Sequence, residues 1–437
     1  MRIRIISILL LISSLKLFAL DLDSNNYNLH FQQTVILQYK PKMTAKYSGT
    51  NSLMTDEESE TSLTNTFFIG LKPFEGTEIY FNPEIAGGSG ISQVLGIAGA
   101  PNGETFRIGN PKPELYVARL FTQSYINLSN NYIKKEDKAN QLPSKVSDEY
   151  LLLKIGKYSV ADNFDCNKYS HDARTQFMNW SLMSNGAWDF PANIRGYTWN
   201  LLLEYGNKDF AIRFISSLVP NTANGSVMDM NIANANSETI EFEKPYKIND
   251  LDGKIRILGF YTQAKMGVYK DALFVVDPLV QNPDIIHTRA YGRNKYGFGL
   301  NLEQDLSKNI GCFLRGSWND GKNETWHFTE IDNAISGGIV FNANAWNRPS
   351  EELGIAFALN GISTDHQNYL KAGGLGFMLG DGNLNYINEF ISEIYYNIHL
   401  HDNHFWISPD LQYIVHPAYN KDRGPALAIA VRAHVEF

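Results

Sequence analysis

Charge is scarce in this sequence, and cysteine is nearly absent. Only 19% of the 437 residues are charged, and the two cysteines, Cys166 and Cys312, lie far apart. Two such residues cannot make a disulfide scaffold. Beyond the N-terminus no apolar run reaches the ~18 residues of a membrane-crossing helix, which excludes a polytopic helical protein. Basic excess is missing too. Asp and Glu (46) outnumber Lys and Arg (38), for a formal net charge of −8, and this argues against a nucleic-acid binder. Aromatics, by contrast, are plentiful, with 25 Phe, 23 Tyr and 7 Trp. Yet the mean hydropathy is −0.27.

The first twenty residues suggest a destination. Arg2 and Arg4 precede an apolar run at 5–12, and Ala19 precedes the acidic Asp21. A basic end, a short apolar core and a small residue read as a secretory signal peptide over 1–19. An uncleaved anchor is the alternative, weakened by Ser13, Ser14 and Lys16 inside the segment. The expected mature product, 20–437, is an exported acidic domain.

Alternation of period two dominates the rest. Leu427, Ile429, Val431, Ala433, Val435 and Phe437 share one parity, with Arg432, His434 and Glu436 on the other. Such alternation places the two sets on opposite faces of a strand. The same pattern runs through 29–39, 63–72 and 405–416. Weaker candidates fall at 115–125, 150–158, 198–206, 209–218, 255–266, 294–303, 309–318, 353–360, 370–379 and 390–398. A soluble β-sandwich also alternates, but its strands typically have 5–6 residues, whereas these runs reach about 10–13, enough for a tilted membrane crossing. Both ends read as strands, so a sheet can close without an edge. Tyr39, Tyr125, Tyr205, Tyr395 and Tyr396 stand at run ends, where interfacial girdles are expected. The expectation is an all-β transmembrane antiparallel barrel of about 16 strands. Long stretches at 84–113, 159–196, 219–250 and 319–350 would form outer loops or fold inward to narrow the pore.

Chemical motifs are weak. Ser170-His171-Asp172 has the residue types of a hydrolytic triad, but consecutive positions cannot normally chain nucleophile, base and orienter. His399, His401 and His404 lack the further ligands of a metal site apart from Asp402. No enzyme, metal or cofactor is expected. The 158–199 stretch is richer: aspartates, Arg174, Asn179, Arg195, Trp180, Trp188 and Trp199 mix hydroxyl-binding groups with flat rings. That mixture suits sugars, although an ordinary loop with three tryptophans reads equally well.

Several blocks resemble the carbohydrate-selective porins of the OprB type. They are NPEIAGG at 82–88, GIAGAPNG at 96–103, RIGNP at 107–111, GKYSVA at 156–161, YSHDARTQFMNW at 169–180 and NGAW at 185–188. WNDG at 318–321, ETW at 324–326, GDGN at 380–383 and NKDRGP at 420–425 continue the likeness, which covers about 27–437. The resemblance implies an outer-membrane barrel passing mono- or small oligosaccharides by passive, weakly selective diffusion. A general or structural barrel without sugar selectivity is the alternative. Implied partners are carbohydrate solutes, outer-membrane lipids, the barrel-assembly machinery reached through Phe437, and further copies of the barrel. The expected lumen has Arg107, Arg174 and Arg195 opposing Glu84, Asp162 and Asp172 across the pore. Asn179 would bind hydroxyls there, and Trp180, Trp188 and Trp199 would offer stacking faces.

Overall fold

The computed structural model describes residues 26–105, 111–275, 282–400 and 404–437. The expected signal segment 1–19, Arg107 and His401 lie outside them. In chain order the strands are β1 (Tyr27–Lys40), β2 (Glu58–Phe74), β3 (Thr77–Gly88), β4 (Glu114–Asn127), β5 (Tyr132–Lys135), β6 (Ser144–Ser147), β7 (Tyr150–Tyr158), β8 (Thr198–Gly206) and β9 (Ala211–Ser217). They continue as β10 (Asn236–Ile248), β11 (Leu251–Ala264), β12 (Arg293–Asp305), β13 (Ile310–Asn319), β14 (Asn333–Asn342), β15 (Glu352–Gly361), β16 (Glu389–Leu400), β17 (Phe405–Val415) and β18 (Ala426–Glu436).

All but β5 and β6 form one closed antiparallel barrel of 16 strands, each paired with its neighbour in sequence. The expected strand number and closure are therefore met. β1 pairs with β18 in register from Gln32 opposite Glu436 to Tyr39 opposite Ile429, so no edge is left unpaired. Phe437 finishes the seam: its amide donates to the Phe31 carbonyl at 2.9 Å, and the Phe31 amide returns the bond at 3.1 Å.

Parity decides which side chains meet lipid. In β8, Trp199, Leu201 and Leu203 are exposed on the outer face, whereas Thr198, Asn200, Leu202 and Glu204 are buried within. Tyr39, Trp199, Tyr261, Tyr296, Trp318 and Tyr413 stand outward near one rim, the arrangement of an interfacial aromatic girdle. Two expected girdle members belong elsewhere. Tyr395 is 1% exposed and faces inward, its hydroxyl donating to Glu352. Tyr125 packs against the inward Tyr150. A run end fixes height along the barrel, but only parity fixes the side.

The connections alternate in length. At one rim lie eight long connections, whose described residues are L1 (41–57), L2 (89–105 and 111–113), L3 (159–197), L4 (218–235), L5 (265–275 and 282–292), L6 (320–332), L7 (362–388) and L8 (416–425). The opposite rim carries short turns, except that 128–149 holds the β5–β6 hairpin. Three expectations need correction. The 370–379 stretch is no strand. Its start closes helix α1 (Thr364–Lys371), capped where the Ser363 hydroxyl accepts the His366 amide at 3.1 Å, and the rest is loop. β10 and β14 occupy much of two stretches expected as loops, because Glu238 outside β10 and Gly337-Gly338 in β14 blur the hydropathy alternation. L5, L7 and the 128–149 excursion are longer than the sequence reading allowed.

Loops fill much of the barrel's interior. Phe164, Trp188 and Phe190 of L3, Phe328 and Ile331 of L6, Leu379 of L7 and Tyr419 of L8 share one buried core.

Candidate functional site

L3 is tied around the inner wall by groups that the strands place at the correct parity. Arg315 of β13 is 1% exposed; its guanidinium reaches Asp165 at 3.1 Å and the carbonyls of Leu182 at 2.8 Å and Ser170 at 2.5 Å. Arg432 of β18 donates to the carbonyls of Ala173 and Gln176, both at 2.7 Å. Glu393 of β16 accepts the amides of Met178 at 2.5 Å and Asn179 at 2.9 Å. Inward wall charges thus satisfy loop backbone, which could not otherwise be buried without loss.

The loops clamp one another by the same device. Asp189 of L3 accepts the amides of Trp326 and Phe328 of L6, both at 2.8 Å, and that of His327 at 3.1 Å. Burial raises the Asp189 carboxyl, but His327 and these amides more than reverse it, holding the group well below the usual carboxylate range. Ser170, His171 and Asp172 do not form a chain: the Ser170 hydroxyl donates to the Leu182 carbonyl, and the Asp172 carboxylate accepts the Arg174 amide. No group of three or more metal-binding side chains converges among the described residues.

Beside L3 lies an ionic cluster. Arg174 sits 2.8 Å from Glu104 of L2 and 3.6 Å from Glu84 of β3. Burial disfavours charge on Arg174, and Glu104 and Glu84 more than restore it. Glu84 also accepts the hydroxyls of Tyr116 and, at 3.1 Å, Tyr197. Asp162 takes a two-pronged bond from Arg119 at 2.6 and 2.7 Å. Arg195 pairs with Glu114 at 2.5 Å and stacks on Tyr116 at 4.1 Å. The expected opposition of Arg and acid across the pore is therefore replaced by contact pairs on one side of it, the lower-energy arrangement for charges in a confined space.

The remaining expected residues separate. Asn179 is fully buried, with its amide bonded to the Gly99 carbonyl at 3.0 Å and Gln412 at 2.9 Å, so it pins L3. Trp180 packs on Phe190 and Phe328, with ring centroids 5.9 and 5.1 Å away, and borders a gap of about 20 Å³ with Phe328 and Met378. Trp188 is wholly enclosed and offers no face to a solute. Trp199 is on the lipid side, 47% exposed, so its expected stacking role is corrected. Cys166 lies in L3, and Cys312 has the outward parity of β13. Both are free.

Sequence reasoning missed Arg119, Glu104, Tyr116 and Tyr197. A register shift at Asn82/Pro83 between β3 and β4 alters parity across Tyr116 and Arg119. One usable signal existed: Arg119 is the lone charge in the apolar run 115–121. Beyond the cluster, towards the short-turn rim, a cavity of about 510 Å³ extends from Asp162 and His171 to residues 135–141 of the hairpin connection.

Comparison with known proteins agrees with this architecture. Pseudomonas putida OprB superposes in its high-pH structure with a TM-score of 0.69 at 17% identity, over 94% of both chains. Its low-pH structure gives 0.50 at 12% identity, covering 94% of this chain and 93% of that one. The outer membrane channel DcaP of Acinetobacter baumannii gives 0.50 at 9% identity, covering 94% and 97%. These likenesses establish the barrel fold. No curated protein matches the sequence. The family model described as "Carbohydrate-selective porin, OprB family" matches residues 69–437. The match spans most of the chain, and the protein belongs to this family of outer-membrane, carbohydrate-selective porins.

Proposed function

We propose that mono- and small oligosaccharides diffuse passively through this barrel, with weak selectivity, past the Arg119–Arg174 cluster. The observation carrying this reading is a row of partly exposed ion pairs at that wall. The side chains of Arg119 and Asp162 are 12% and 22% exposed, and those of Arg174 and Glu104 13% each. Asn82 is directly opposite Arg119 in the β3–β4 pairing. Donors and acceptors held side by side at an accessible surface suit a solute that carries both. Sugar hydroxyls supply both. Locally paired charges present short-range dipoles rather than a net field, which suits neutral solutes. Release requires that each contact stay weak.

Export through removal of 1–19, recognition of Phe437 during assembly and association of barrels belong to the same proposal. The pairing of Phe437 with Phe31 supports the assembly role, since it holds the last bonds of the seam. Liposome swelling with mono- and disaccharides against size-matched polyols tests the transport reading. Sugars should swell liposomes faster, and Arg174→Met, which leaves Glu84 and Glu104 without their cation, should remove the preference. Equal rates for both solute classes in the unaltered protein would sink it.

A further inference from the structure

We propose that the cavity beneath the constriction is a binding subsite for an acidic saccharide, one bearing a carboxylate or a phosphate monoester. The inference rests on the porin reading above and concerns a different part of the lumen. The cavity measures about 510 Å³, within the range of roughly 300–1,000 Å³ common for small-molecule sites.

Its four acids are all engaged. Glu78 accepts the Tyr80 hydroxyl and the Gln123 amide, both at 2.7 Å. Glu204 accepts the Tyr150 hydroxyl at 2.7 Å and Nε of Arg213 at 2.8 Å. Glu243 is shared by Arg256 at 2.8 Å, Lys254 at 3.3 Å and Arg213 at 3.5 Å. Asp162 belongs to Arg119.

Three lysines in the same wall have no such partner. Nζ of Lys154 is bonded only to the neutral Asn163 side chain, at 2.9 Å, and sits over Phe121 and Tyr158 at 4.1 and 4.2 Å. Nζ of Lys135 meets the Tyr125 hydroxyl at 2.6 Å and its ring at 4.3 Å. Burial pushes the Lys135 ammonium below its usual range. Lys138 stands exposed beside it on the 135–141 segment. None of the three makes a salt bridge among the described residues, whereas every arginine lining the cavity does. An unpaired, partly desolvated cation is unfavourable, and an anionic ligand relieves it.

The neutral lining fits the rest of such a ligand. Tyr125 and Tyr150 meet edge to face at 5.5 Å, giving an aromatic surface for ring C–H groups. Asn140 and His171 border the cavity from opposite ends. The imidazole can accept from a hydroxyl or donate to an oxygen, according to its tautomer.

Single-channel recording of the full-length protein in planar bilayers tests this with glucose, glucuronate, glucose 6-phosphate and inorganic phosphate added on the short-turn side. The two acidic sugars should interrupt the current at concentrations about tenfold lower than glucose, the worth of one charge-assisted contact. Comparing glucuronate with glucose 6-phosphate separates the carboxylate from the phosphate monoester. Lys138→Gln, an exposed change that leaves the barrel wall intact, should narrow the gap, and Lys135→Gln should narrow it further. Equal block by glucose and both acidic sugars overturns the proposal, as does inorganic phosphate matching the sugar phosphate, since the site would then read charge alone. A barrel with no steady conductance overturns the porin reading and this subsite with it.

Discussion

The two halves of the lumen handle charge in opposite ways. Around L3, Arg119, Arg174, Arg195 and Arg315 each touch a carboxylate, and wall acids such as Glu393 are spent on loop amides. Below L3, Lys135, Lys138 and Lys154 face a cavity whose four acids are bonded to other groups. The upper half is built like a protein core, where Arg–carboxylate contacts fix the position of the loops. The lower half is built like a binding site, where unpaired charge is kept available. The difference teaches that pairing here is a matter of placement: the same inward parity serves to anchor a loop or to meet a solute, according to what the loops cover.

The largest effect should come from removing the anchor that makes the upper half rigid. Arg315→Met leaves Asp165 as a buried carboxylate without its cation and strips donors from three loop carbonyls. Breaking a buried pair in this way costs about 3–5 kcal/mol. L3 should come away from β13, so single-channel conductance should rise and the unfolding temperature seen by gel mobility should fall. Unchanged conductance would show that L3 is held elsewhere and that the two halves are not divided by it.

Acid and alkali should act on different halves. Asp189 titrates well below the usual carboxylate range despite burial, and Arg174 holds the Asp172 carboxyl down in the same direction. A depressed folded value contributes stability above the unfolded carboxylate value, about 3.9, and loses it as pH falls through the folded value. The L3–L6 clamp should therefore persist to about pH 4 and loosen only in stronger acid. Lys135, lowered by burial, should lose its charge early on the alkaline side and so weaken the lower cavity first. Conductance followed from acid to alkali checks both. Separation of Asp189 from the 326–328 amides between neutrality and pH 5 would contradict the clamp.

Much of this plan was legible in the alternation. Strand type, closure and the lipid face of β1, β17 and β18 follow from hydropathy, because a strand between lipid and water must alternate. β10 and β14 escaped because an outward Glu238 and paired glycines interrupt that signal. The site was harder to see. Arg174, Glu84 and Asp162 read from the sequence as charges opposed across a lumen, whereas they sit in contact pairs with Glu104 and Arg119. Arg119 and Tyr197 are distant in sequence, and the shift at Asn82/Pro83 moves parity where it matters. The 128–149 hairpin gave no periodic warning, since its strands have only four residues each.

Trp199 provides the smallest expected effect and the sharpest check on parity. As a residue type in a sugar-like stretch it looked equivalent to Trp180, yet one residue of register puts its ring outside the barrel. On the lipid side Trp199→Leu changes only interfacial anchoring, with loss of no more than about 1 kcal/mol and sugar uptake unaltered. Trp180→Leu, which removes packing of L3 against Phe190 and Phe328 inside the lumen, should change sugar-dependent swelling while leaving the barrel strands intact. The pair of substitutions, measured by liposome swelling beside a thermal gel-shift assay, separates the lipid face of the wall from the loop packed inside it. Impaired uptake in Trp199→Leu with normal uptake in Trp180→Leu would invert the assignment and move the sugar path away from the L3 aromatics.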